Sequence, residues 1–479
     1  MDQKLPSNFD LIIIGTGFIE SVISAAASRI GKSVLHLDEN DFYGGQWASF
    51  NLEALKTSPP IHIQDFESNF WTEDSESLLK NSRKFNIDLV PKVHYARGDF
   101  VELLISSNIA RYTEFRSVSR ILTSLNGQLE LVPCSRSDVF ANNKVSVIEK
   151  RMLMKLLTSL DEEVVISDPN QTFKEFLTSK KLSDNLVHFV LYAMARSTDV
   201  TPVSEGIENT KRFLQSLGRF GKTPFLFSMY GSGDTPQAFC RLSAVFGGTF
   251  ALDMPHSLKI ENNRVEALVL KDQEVSGQHF VLGEAEFRKV NNKGGISRAV
   301  FITDKSVLSS ESEHLTLLVY PPEKDIGLVT VLELGSLTGT CPKDVYLVHM
   351  SCKQITKPKE DFAHVVACLF TEDEGSPKVL WSSYFTLPES SNDLMSDEFK
   401  EFPENVFLCP GPDVDLDYDS SIKKAKMIFE SLYPGEEFLP RAPDPEEIII
   451  GEECVQGSVD FKEQEDGVTE KEAAPSGDF

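Results

Sequence analysis

The chain has 479 residues, 41% of them hydrophobic and 10% aromatic, which is globular composition with enough apolar mass for a large core. Its 73 acidic and 47 basic residues leave a formal net charge of -26, which argues against a nucleic-acid partner, because phosphate binding needs a basic surface. The same charge suits a protein partner with a basic face, and solubility alone would account for much of it.

The first predicted unit runs from Asp10 to Gly45. Asp10-Leu11-Ile12-Ile13-Ile14 reads as a buried parallel strand closing on Gly15. Gly15-Thr16-Gly17 gives a tight turn into a helix from Phe18 to Arg29, Gly31 ends it, and Ser33 to Leu37 is a second strand ending in Asp38. This βαβ layout, with an acid about 20 positions past the glycines, is that of a dinucleotide site. The third glycine position holds Glu20. A carboxylate there suits the helix dipole but repels a phosphate in the same place, so the expectation is a retained fold without its cofactor. The alternative is a Glu20 that points to solvent and leaves room for a flavin.

Tyr43-Gly44-Gly45-Gln46-Trp47 then places aromatics around a glycine turn, where they could contact a partner or join the core. Residues 51–79 read as a surface loop around Pro59-Pro60. Asn86 to Val90 reads as a strand, Gly98 to Ile109 as an amphipathic helix, and Ser117 to Val132 as a hairpin turning at Asn126-Gly127.

From Cys134 to Gly221 only helices are expected. Ile148, Met152, Leu156 and Leu160 recur at four-residue steps, with Leu153 and Leu157 widening the stripe. Thr172 and Glu175 form a capping-box pattern ahead of Phe173, Phe176 and Leu177, and Ser183 is a second cap, before a helix that aligns Leu186, Val190 and Met194. Tyr230-Gly231-Ser232-Gly233-Asp234-Thr235-Pro236 is a glycine-rich turn into a helix, along which Asp234 and Arg241 lie two turns apart. Residues 265–408 read as short antiparallel strands, and Ser420 to Leu432 as a closing helix. Before that helix, Pro412 interrupts a Gly-Asp pair of the kind that contacts a flavin chain, a second damaged cofactor element. The acidic stretch 444–479 is expected to be disordered.

The expected fold class is therefore α/β: an FAD-oxidoreductase-like domain with a Rossmann-type βαβ unit and mixed or antiparallel sheets, plus an inserted all-helical domain. Its expected boundaries are 1–133 with 221–443 for the first domain, 134–220 for the second and 444–479 for the tail. The seven scattered cysteines lack Cys-x-x-Cys spacing, which suggests a reduced chain without a zinc site. No apolar run reaches membrane-span length, Met1 to Asn8 lacks a leader's features, and Ser476 to Phe479 is no prenylation box, so a cytosolic location is expected. The nine histidines form no recognisable nucleophile, metal or phosphate motif, and neither a catalytic residue nor a cofactor is expected.

Several ordered motifs together resemble the Rab GDP-dissociation inhibitor superfamily, over nearly everything before the acidic tail. They are Ile14-Gly15-Thr16-Gly17, Lys32 to Asp38, Tyr43-Gly44-Gly45, Lys84 to Leu89 and Tyr230 to Gln237. Trp47 to Phe50, Pro133 to Phe140, Glu149 to Lys155 and Ile296 to Asp304 are similar to its escort branch, the substrate-presenting component of Rab geranylgeranyltransferase.

The resemblance implies a Rab-binding platform at Tyr43, Asp234 and Arg241; inhibitors of the family have Glu in place of Asp234. It implies a segment from about Lys92 to Tyr112 that holds the Rab C-terminal tail. Phe173 would dock the transferase α subunit if its ring is exposed rather than packed on Phe176. A prenyl pocket would lie in the helical domain, along Leu153, Leu157, Leu186 and Val190. Residues 51–79 are far shorter than the insertion in vertebrate escort proteins. The partners implied are GDP-bound Rab GTPases, the transferase α/β heterodimer, the geranylgeranyl group and, transiently, a membrane. A recycling inhibitor that extracts prenylated Rab is the alternative, and a flavin-dependent oxidoreductase of the same fold is the third reading.

Overall fold

The structure, a computed structural model, describes residues 4–59, 61–135, 138, 146–161, 168, 170–287, 294–323, 326–389 and 402–441. The acidic stretch from Asp444 onward therefore lies outside the described residues, as do most of Arg136 to Val145.

The predicted βαβ unit is present as β1 (Asn8–Ile14), α1 (Phe18–Arg29) and β2 (Val34–Leu37). β1 runs parallel to β2 on one side and to the strand Gln273–Gly283 on the other. Thr249–Ala251 and Val406–Cys409 extend the parallel set, and the antiparallel strands Ser257–Glu261 and Arg264–Leu270 complete a seven-stranded sheet. Both faces of β1 are covered, which is why it has no polar alternation. Leu11 and Ile13 enter the main core with α1, while Ile12 and Ile14 join Val265, Leu268 and Phe280 on the other face. Each fully buried side chain of this size contributes about 1.5–3 kcal/mol.

Small residues set how closely α1 approaches its neighbour, the helix Asp234–Val245. Ser24 and Ser28 meet Ser243 at 2.9 and 2.8 Å, and Ser21 Oγ lies 3.2 Å from Cys240 Sγ. These positions recur at three- and four-residue steps, so a polar stripe of small residues joins the Phe18–Phe239 ring contact at 5.7 Å in forming this helix contact.

A second, eight-stranded sheet carries Gly295–Thr303 near its centre, between Tyr346–Lys353 and Val379–Pro388. Its edge corrects the sequence reading. Gln64–Phe70, expected as loop, is a strand antiparallel to Val379–Pro388, with Phe66 and Phe70 turned inward and Asp65, Glu67 and Asn69 exposed. The hairpin of Arg120–Leu125 and Gln128–Leu131 forms the other edge, with Asn126 and Gly127 at φ +52° and +76° as its turn requires.

Between Cys134 and Gly221 the described regular elements are helices: Val147–Asp161, Phe173–Ser179, Asp184–His188 and Val203–Ser216. A π-helical stretch, Phe189–Met194, follows the third of them. Polar contacts tie them to the second sheet, His188 Nε2 to Thr123 Oγ1 at 2.9 Å and Arg196 to Thr330 Oγ1 at 2.6 Å. Among the described residues no helix is long and apolar enough to cross a membrane, and the six described cysteines are free.

Candidate functional site

The nucleotide cradle is built as the sequence predicts and then filled from within. Gly15 takes φ +100°, a left-handed turn that only glycine enters cheaply, to swing the chain from β1 into α1. Glu20 does not point to solvent. It is 4% exposed, and its carboxylate lies so close to Gly17 and Gly283 that a Cβ on either would collide with it. Beneath the turn, the buried His36 donates from Nε2 to Gly15 O at 2.7 Å, and burial pushes its pKa down to about 4.

Asp38, at the ribose-binding position, is already occupied by protein donors. Its Oδ2 accepts from Thr16 N at 2.8 Å and Thr16 Oγ1 at 2.7 Å, and its Oδ1 from the Asn40 backbone at 2.9 Å and side chain at 2.8 Å. The disrupted Gly-Asp pair tells the same story. Gly411 still borders the cradle, but Asp413 takes the Lys92 ammonium at 3.0 Å, and both side chains are buried. Lys92 and Lys424 outweigh burial and hold the Asp413 carboxyl down at about 2. A pyrophosphate needs the space that Glu20 fills, and a ribose needs the acceptors that Asp38 has spent, so a flavin or nicotinamide dinucleotide does not fit these residues. What remains is a cavity of about 570 Å³ bordered by Glu20, Asp38, Glu39, Gln46 and Glu286.

Tyr43, Asp234 and Arg241, the residues expected to form a platform, lie around one helix. Asp234 opens the helix Asp234–Val245, and Arg241 stands exposed two turns on. Tyr43 is half-buried beside Cys240 of the same helix, its ring 6.3 Å from Phe250. Burial raises the Asp234 pKa, with Glu114 adding to the rise and Arg241 opposing it. The other aromatics of that loop divide: Trp47 is core at 2% exposure, and the partly buried Phe50 packs on Phe42 at 5.1 Å.

What aims that helix was not visible in the sequence. The buried Asp88 accepts from Ser232 N at 2.9 Å through both carboxylate oxygens, and Ser49 Oγ bridges Asp88 to Gly233 N. Ser232 Oγ in turn accepts from Lys92 N at 2.9 Å. Burial raises the Asp88 pKa despite these bonds. Arg298, wholly buried in the second sheet, reaches Leu89 O at 2.7 Å, and burial lowers its pKa to about 9. The partners lie 39 to 209 residues apart in the chain, so no local spacing announces them. The turn they hold presents Tyr230 at φ +64° and 53% exposure.

The helical residues are packed. Phe173, whose docking role is conditional on an exposed ring, is 0% exposed; its ring stacks on Phe176 at 6.2 Å and fills the gap left by Gly206. The capping box explains this. Thr172 Oγ1 accepts from Glu175 N at 3.2 Å, Glu175 accepts from Thr172 N at 3.0 Å, and the first helical residue is thereby turned into the bundle. Leu153, Leu186 and Val190, named for a prenyl pocket, are core residues, and Leu157 is partly buried against them. As they stand they fill space instead of lining a groove, so a lipid would enter only by parting them. Ser183 occupies a helix N-cap without a side-chain capping bond.

The fold is a mixed α/β one of the GDI type, and the chain belongs to the GDP dissociation inhibitor family, whose model matches residues 1–430. Among solved structures it is similar to a Rab GDI from Plasmodium falciparum, with a TM-score of 0.70 and 21% identity over 90% of this chain and 99% of that one. An oxidoreductase from Methanosarcina mazei has a TM-score of 0.56 at 12% identity over 88% of this chain and 99% of that one, a likeness of fold alone. Among curated proteins, the Rab proteins geranylgeranyltransferase component A of Drosophila melanogaster is 36% identical over 94% of this chain and 93% of its own length. Component A 2 of Homo sapiens is 33% identical over 94% of both chains. The Rab GDP-dissociation inhibitor of Saccharomyces cerevisiae is 34% identical over 73% of this chain and 81% of its own.

Proposed function

We propose that this chain is a non-catalytic Rab escort protein. It binds newly made, GDP-bound Rab GTPases on the surface around Tyr43, Asp234 and Arg241 and presents their C-terminal tails to the Rab geranylgeranyltransferase α/β heterodimer. The transferase supplies the chemistry; the escort then shields the geranylgeranyl group and delivers the product from the cytosol to membranes. The observation that carries this reading is the likeness, over 94% of the chain, to proteins named as component A of that transferase. The Glu20 carboxylate inside the cradle supports a binding role over a redox one. An adaptor that holds both substrate and enzyme raises the effective concentration of a tail that offers the enzyme little sequence to read.

Arg241→Glu tests the Rab-binding face. It reverses an exposed charge without touching the core, and truncation of an interface hot spot costs about 2 kcal/mol or more, roughly thirtyfold in affinity. Calorimetric titration with a GDP-bound Rab should show a loss of that order, while Lys426→Glu on the exposed face of another helix leaves binding unchanged. Equal affinity in both variants would remove the assignment.

The burial of Phe173 favours one second reading, a recycling inhibitor that does not engage the transferase. Such a protein would extract prenylated Rab from membranes and leave the transfer reaction unstimulated.

A further inference from the structure

The cavity left in the nucleotide cradle has a chemistry of its own. Among its described lining residues are four carboxylates, Glu20, Asp38, Glu39 and Glu286, and neither Lys nor Arg. Asp38 is saturated by Thr16 and Asn40, and His256 lies between the outer pair, 3.6 Å from Glu39 and 3.3 Å from Glu286. Glu20 and Asp38 are the most buried of the four, each 4% exposed.

A second observation stands apart from the charge. Gln46, 8% exposed and part of the lining, has neither its Oε1 nor its Nε2 in a hydrogen bond, although both atoms are buried. A buried primary amide without partners costs about 1–3 kcal/mol for each group left unmade, so it marks a place where a polar ligand belongs. Gln46 is held there by the short helical turn Gly45–Trp47, whose Trp47 is anchored in the core.

We propose that this cavity binds a primary ammonium group, carried either by a free linear diamine or by a lysine side chain of a protein partner. An ammonium has three donors and no acceptor, which matches Gln46 Oε1 and the Glu20 carboxylate, and it is compact enough to enter where a pyrophosphate is excluded. A bare metal ion is the poorer match: among the described residues no group of three or more His, Cys, Asp or Glu is gathered to hold one. The cradle thus keeps its place in the fold and inverts the charge of what it accepts.

The test is calorimetric titration of the full chain, at constant ionic strength, with 1,4-diaminobutane, with Nα-acetyl-lysine amide and with methylguanidinium. The expected result is saturable binding of at least one of the two amines, weakened tenfold or more in both Glu20→Gln and Gln46→Met and unchanged in the exposed-loop variant Glu374→Gln. Tighter binding of the diamine indicates a free ligand, and tighter binding of the lysine amide a partner side chain. Thermal melting of the same proteins supplies a second readout, since a ligand of the folded state raises the midpoint by mass action. If Glu20→Gln does not fold, Gln46→Met decides alone. Absence of saturable binding, equal affinity in Gln46→Met and wild type, or a preference for methylguanidinium would overturn the proposal. None of these outcomes depends on prenylation activity.

Discussion

His94 shows how a single buried residue couples this fold to pH. Its ring lies on Tyr418 at 5.1 Å and against Phe100 at 4.3 Å, and neither nitrogen finds a hydrogen-bond partner. Burial, reinforced by the nearby Lys92 charge, pushes its pKa down to about 3. The folded state therefore keeps the imidazole neutral while the unfolded chain protonates it below about pH 6.5. Because the unfolded state binds the extra proton, stability falls as the pH drops from 6.5 towards 3. Each pH unit in that window costs about 1.4 kcal/mol for a fully buried group. Replacing the ring removes the term: His94→Phe should gain about 2 kcal/mol at pH 5 relative to its effect at pH 7.5, measured by urea unfolding at both values. An unchanged difference between variant and wild type at the two pH values would mean that the histidine is not held neutral. Asp413 responds lower, its stabilising pair with Lys92 being lost between about pH 4 and pH 2, so the two effects separate along the pH axis.

At the scale of elements, the pairing of Phe173–Ser179 with Val203–Ser216 makes a prediction that bears on the docking assignment. Gly206 faces the Phe173 ring with no room for a Cβ. Gly206→Ala, ordinarily a gain of up to about 1 kcal/mol inside a helix, should here destabilise by about 1–3 kcal/mol through overpacking. Phe173→Ala should cost about 3–5 kcal/mol by opening a cavity. Urea unfolding of both variants checks this; wild-type stability in Phe173→Ala would restore the exposed-docking reading. The capping box that turns Phe173 inward was legible, because Thr172 and Glu175 act within four residues, but the facing glycine thirty-three positions on was not. The strand Gln64–Phe70 was missed for a related reason. Its residues have low strand propensity, and pairing with Val379–Pro388 together with the inward Phe66 and Phe70 defines it. The βαβ unit, by contrast, was readable because its strands are short, buried on both faces and bounded by glycines whose turns are local.

On the scale of the whole molecule, the buried Asp88, Arg298 and Lys92 tie the second sheet to the turn ahead of the helix that carries Asp234 and Arg241, and this polar seam aims that helix. The cradle on the adjoining sheet is closed to dinucleotides by Glu20, a feature that one residue of the sequence announced, whereas the saturation of Asp38 by Thr16 and Asn40 needed the fold to be seen. On the proposed escort reading, this chain holds its partners and leaves bond-making to the transferase. Reconstituted prenylation tests that most directly: purified Rab geranylgeranyltransferase, geranylgeranyl diphosphate and a GDP-bound Rab, with and without this chain. Transfer that requires this chain, and falls with Arg241→Glu, is the predicted result. Transfer at the same rate in its absence, with the chain still binding prenylated Rab, would contradict the escort role.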